Sequence, residues 1–149
     1  RIAHRRSLSA RGTRPEYDSV RRLAVGLLGL TVMASEKAPE DYVAAMKTIA
    51  AAQAAATKAI EAEDYDAVEK HAGTIVDAFP AVEKFWAARS SEVAQLAHNT
   101  AKAASDLRVS SQQHSLEGMA YSAKQLSTAC GTCHSAHREK MPDGTFEIK

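Results

Sequence analysis

The chain has 149 residues, of which 45% are apolar, 25% charged and 5% aromatic, a balance that suits one globular domain and argues against wholesale disorder. Seven Gly and four Pro exclude collagen-like and Pro-rich chains, two Cys are too few for a disulfide scaffold, and a net charge of +1 gives no footing for a nucleic-acid partner. Thirty residues are Ala, the best helix former and a poor strand former, which points to an all-α protein.

The first expected unit is a basic leader, residues 1–34, followed by one domain over 35–149. The leader carries seven Arg against two acidic residues, net +5; the remainder carries 12 basic and 16 acidic groups, net −4. Arg21 and Arg22 precede an apolar run over 23–34 that ends with small residues, Val32 and Ala34, at the −3 and −1 positions. That order reads as a secretory signal peptide cut after Ala34. The run falls short of the roughly 20 apolar residues that span a bilayer, so stable membrane insertion is not expected. A short buried helix and an uncleaved anchor are the alternatives. Residues 1–19 begin on Arg and are expected to be an upstream extension, with the natural start near Val20; a basic arm is the other reading.

Pro39, Glu40 and Asp41 make a helix start. Tyr42, Met46, Ile49, Ala52, Ala56 and Ile60 then recur at spacings of three and four, one helical face. Gln53 interrupts that face. Residues 61–64 form a polar junction. A second stripe runs through Val68, Ala72, Ile75, Val76 and Phe79, where Pro80 is expected to break or kink the chain. A third stripe runs Val82, Trp86, Arg89, Val93, Leu96, Thr100, Ala103 and Leu107, with a turn expected over 108–111. A fourth runs Leu116, Met119, Ala123, Leu126, Cys130, Cys133 and His137. Asp143-Gly144 marks a turn before a short tail over 145–149. Four amphipathic helices with short links predict an antiparallel up-down four-helix bundle. Its core inventory is thin: residues 35–149 hold four Leu, four Ile and six Val. Ala buries little apolar area, so a bundle of this composition has room for a large flat cofactor.

Cys130-Gly131-Thr132-Cys133-His134 is a C-x-x-C-H motif, and it uses both cysteines. The motif reads as covalent attachment of one c-type haem. On a helix, positions i, i+3 and i+4 share a face. Cys130 and Cys133 can thus reach two vinyl groups while His134 presents a ring nitrogen to the iron as proximal ligand. Three other readings use the same residues. A thioredoxin-like redox pair normally sits near a βαβ pattern, and none is evident. A zinc site over Cys130, Cys133, His134 and His137 would draw all its ligands from one helix, where structural zinc usually joins two segments. A disulfide would strain a helical turn at this spacing.

The other side of the iron decides the function. Met46, on the inner stripe of the first helix, is the leading distal ligand; the competing role is core filling. Met119 lies fifteen residues from His134 on the same helix, about 22 Å away, and is expected to be core. His71, His98, His114 and His137 are expected to be satisfied elsewhere, bis-His ligation being the alternative. Arg138 and His137 suit haem propionates, because the Arg fork matches carboxylate geometry; a solvated helix C-terminus is the plainer role. Trp86 is expected to pack on the haem or core.

A terminal C-x-x-C-H-x-x-x-R, formed by Cys130, Cys133, His134 and Arg138 on the last helix of an Ala-rich bundle, resembles the class II cytochromes c, the cytochrome c-prime superfamily. Phe85-Trp86 and Met46 add to the resemblance, which covers roughly residues 39–141. It implies a periplasmic haem protein, often dimeric, that transfers electrons to partner proteins or, in high-spin members, binds NO or CO. Tyr42 stands where high-spin members usually carry Arg, which favours the low-spin His/Met type. The tail after Arg138 runs beyond the usual end, and Phe146 and Ile148 are candidates to fold back on the bundle or meet a partner. The resulting expectation is an electron carrier rather than an enzyme. A haem peroxidase would need a distal acid/base pair, and the first helix has no His or Arg near Met46. The acidic mature domain favours a redox partner with a basic patch.

Overall fold

A computed structural model describes residues 35–149. The expected leader, the upstream extension and Val20 lie outside the described residues. Four helices make up the fold: α1 (Glu40–Glu61), α2 (Tyr65–Ala87), α3 (Ser91–Gln112) and α4 (Leu116–His137). Each link is three residues, so consecutive helices that pack along their lengths must reverse direction. The caps explain the breaks. Asp64, Ser90 and Ser115 each accept a hydrogen bond from the backbone N–H three residues on, at Ala67, Val93 and Gly118. Such caps contribute about 1 kcal/mol each. Pro39 leads into α1 without a side-chain cap, and Glu40 and Asp41 supply the acidic first turn.

Pro80 does not end a helix. α2 continues through it to Ala87, and Trp86 belongs to α2 rather than to the third helix. The lost backbone donor is offset by the face that continues across it: Phe79, Val82, Phe85 and Trp86 are all buried. The expected turn at 108–111 is also displaced. α3 runs to Gln112, where Ser110 and Ser111 bond back to the Asp106 and Arg108 carbonyls. His114 lies in the following link at φ 53°, stacked on Tyr65 with ring centroids 4.4 Å apart. Leu116, placed on the inner stripe by periodicity, is exposed.

The core forms two clusters. One, around Ala56, Val68, Ala72, Leu107 and Met119, closes the end of the bundle near the α1–α2 and α3–α4 links. The other joins Tyr42, Ile49, Ile75, Phe79, Val82, Phe85, Trp86, Val93 and Leu126. Met46, Cys130 and Cys133 are half-buried against it. Four alanines of α1 (Ala45, Ala52, Ala56 and Ala59) are buried, which lets that helix approach its neighbour. α1 packs on α2, α2 on α3 and α3 on α4, whereas α1 and α4 touch at few points.

Beyond α4 the chain forms an element that helical periodicity does not foresee. Strands β1 (Arg138–Lys140) and β2 (Phe146–Ile148) pair antiparallel, with Arg138 opposite Ile148 and Lys140 opposite Phe146. Gly144, at φ 86°, makes the left-handed step of the turn, and Asp143 accepts from the Thr145 backbone N–H and hydroxyl. Glu36 adds a bridge on the far side of β2, exchanging two 2.8 Å backbone hydrogen bonds with Ile148. Ile148 is buried; Phe146 is exposed beneath the Arg138 guanidinium, 4.3 Å from its ring centroid. Among the described residues no helix is long and apolar enough to cross a membrane.

Candidate functional site

The open seam between α1 and α4 holds two adjoining cavities. The larger, about 490 Å³, has Tyr42, Val43, Met46, Lys47 and Ala50 of α1 on one wall. Cys133, His134 and His137 of α4 face them, with Arg138 and residues 145–148 of the terminal hairpin along the mouth. The smaller, about 60 Å³, runs inward between Met46, Gln53, Thr100, Cys130, Cys133 and His134. Met46, Ala50, Cys133 and His134 line both. Residues far apart in sequence, on the first and last helices, thus share one apolar cleft. Its volume falls in the range of roughly 300–1,000 Å³ typical of cofactor sites.

The chemistry of each lining group follows from its surroundings. Both cysteines are free thiols, and burial pushes both thiols up from their ordinary value. They are neutral and weakly nucleophilic at neutral pH. Burial, helped by the Arg138 charge, holds His134 below the usual histidine range. A neutral imidazole keeps a lone pair free to bind a metal. Burial raises the Tyr42 phenol above its ordinary value. The rim is cationic on several sides, with Lys37, Lys47 and Arg138 around the larger cavity and His137 and Glu147 among them.

No protein-family model, curated protein or solved structure matches this chain. The site therefore stands on its own residues. Cys130, Cys133, His134, Met46 and Arg138 all line the cleft. Trp86 lines neither cavity. It is buried behind the site, edge-on to Phe85 and 5.2 Å from the His137 ring centroid, and its Nε1 makes no hydrogen bond of good geometry. Met119 is fully buried in the other cluster. His71, His98 and His114 are absent from the cleft lining, and His98 lies 3.5 Å from Glu83.

Three contributors escaped the sequence. Gln53, an unexplained polar break in the first stripe, lines the inner cavity. It lies seven residues from Met46, two helical turns along one face, so its position was readable. Lys47, which is not among the residues of the inner stripe, borders the larger cavity. Phe146 and Ile148 were candidates to fold back on the bundle, and Ile148 does so; what escaped is the strand pairing that carries residues 145–148 to the mouth.

Proposed function

We propose that this chain is an exported c-type cytochrome of the class II, cytochrome c-prime-like kind that carries single electrons. The observation that supports it most is that Cys133 and His134 of the C-x-x-C-H motif line an apolar cleft whose opposite wall bears Met46. A porphyrin suits such a site: apolar walls for its faces, two thiols beside a neutral imidazole, and cations at the rim. Cys130 and Cys133 would hold one haem through thioethers, His134 would be the proximal ligand and Met46 the distal one. Arg138, Lys47 and His137 would meet the propionates. Bound there, the haem would supply one-electron transfer at its iron, with a potential raised by Met ligation. The chain's own part is to exclude water with α1 and α4, to fix the ligands and to present an acidic surface. That surface, net −4 over residues 35–149, suits a redox partner with a basic patch. Export through the cleaved leader would place the protein in the periplasm.

The inner cavity favours a second reading. At about 60 Å³, beside Met46 and Gln53, it exceeds the roughly 10–15 Å³ that one water needs. It would admit a diatomic gas if Met46 left the iron open. Oxidised and reduced absorption spectra of protein made with haem-attachment machinery test both readings. The expected result is a Soret band with a low-spin pattern. A high-spin pattern would transfer the proposal to NO or CO binding. No Soret band would end every haem reading.

A further inference from the structure

The hairpin at the mouth of the cleft is tied to the beginning of the described chain. Glu36 exchanges two backbone hydrogen bonds with Ile148. Ser35 Oγ donates to Glu147 Oε2 at 2.6 Å across 112 residues of sequence. Arg89 fixes the same segment by pairing with Glu36 at 3.0 Å. Glu147 itself has no cationic partner among the described residues, although it is half-buried and lines the larger cavity. Ser35 is also the residue that the sequence marks as first after the leader, following Val32-Met33-Ala34.

We propose that cleavage between Ala34 and Ser35 completes a clasp: the freed α-ammonium of Ser35 pairs with the Glu147 carboxylate and holds the terminal hairpin across the mouth of the cleft. The proposal rests on the export reading. The step is hydrolysis by an export-associated signal peptidase. Water oxygen joins the Ala34 carbonyl carbon, the C–N bond breaks, and the Ser35 nitrogen takes up protons to become an ammonium. In the uncut chain that nitrogen is a neutral amide. The nitrogen lies three covalent bonds from the Ser35 Oγ that already touches Glu147, hence within roughly 6 Å of the carboxylate. At that range an opposite charge stabilises the ammonium. Lys37, Lys47 and Arg138 line the same cavity and oppose the pairing in part. The net charge on the strap thus changes when the leader leaves, so the cleft is closed most firmly in the mature protein.

The test uses the full chain, leader included, produced in an exporting host. Intact mass and N-terminal sequencing should find Ser35 first. The pH dependence of acetylation of that amine then reports its pKa. It should lie above the ordinary value of about 7.7–8.0 by about half a unit, and Glu147→Gln should abolish the rise. Exchange of the Ile148 amide, which donates to the Glu36 carbonyl, should quicken about three- to fivefold in Glu147→Gln. A first residue other than Ser35 would overturn the cleavage point on which the clasp depends. Ser35 in first place with an amine of ordinary pKa, unmoved by Glu147→Gln, would overturn the clasp and leave export intact. Neither outcome touches the haem reading, which the absorption spectrum decides separately.

Discussion

Two methionines allow ligation to be separated from packing. Met119 is fully buried in the cluster away from the cleft, and Met46 is half-buried in the cleft wall. Met119→Ala deletes a buried side chain and leaves a cavity, at a cost of about 2–5 kcal/mol. In a domain of this size each kcal/mol moves the melting midpoint by about 3–6 °C, so the apoprotein should melt at least about 6 °C earlier. Met46→Ala removes a side chain that already borders empty space. Its transfer loss is about 1 kcal/mol, a shift of only a few degrees. The spectra should run the opposite way. Met119→Ala should keep the low-spin spectrum of the haem-loaded protein, and Met46→Ala should convert it to high-spin. Thermal melts of the apoproteins by far-UV circular dichroism, with absorption spectra of the loaded proteins, give both readouts on the same variants. A low-spin spectrum retained in Met46→Ala, or lost in Met119→Ala, would refute the assignment. An apoprotein loss several-fold larger for Met46 than for Met119 would show that Met46 is chiefly a packing residue.

The Trp86 indole N–H is buried without a good partner, and such a group costs about 1–3 kcal/mol. Trp86→Phe removes that cost along with some packing, so the urea midpoint should correspond to a stability within about 1 kcal/mol of the parent; a loss above about 3 kcal/mol would mean that the N–H is bonded. Burial holds the Tyr42 phenol above its ordinary value of 10.0, so the folded state keeps this proton longer than the unfolded chain does. Its contribution to stability is therefore complete below about pH 10 and is lost as pH rises through the folded value. Urea midpoints measured up the alkaline limb should fall less steeply in Tyr42→Phe than in the parent, and parallel limbs would contradict the burial argument.

The placement of the C-x-x-C-H residues on one helix was legible because it is local: i, i+3 and i+4 on one helix need no tertiary information. The helix count was legible for the same reason, yet two boundaries were misplaced. Pro80 has a strong local rule against it, and the rule lost to the buried face of Phe79, Val82, Phe85 and Trp86. The signal that would have moved the boundary was Ser90, a capping residue ten positions on. In the terminal hairpin the Asp143-Gly144 turn was legible, but the strand pairing was not. Its strands are three residues each, too short for a period of two to register, and its outer neighbour is Glu36, more than one hundred residues away in sequence. The cleft lies between these extremes. An up-down bundle makes its first three contacts between chain neighbours, and only the α1–α4 seam must close without a short link. On that seam α4 buries just Met119, Ser122 and Leu126, all before the motif, and Met46, Lys47 and Ala50 of α1, which face the cleft, are half-buried or exposed. With no buried anchor on the last turns of α4, the seam is left unfilled at the level of His134. The sparse burial of α4 beyond Leu126 therefore determines where the bundle fails to close, whereas the buried alanines of α1 serve the core clusters.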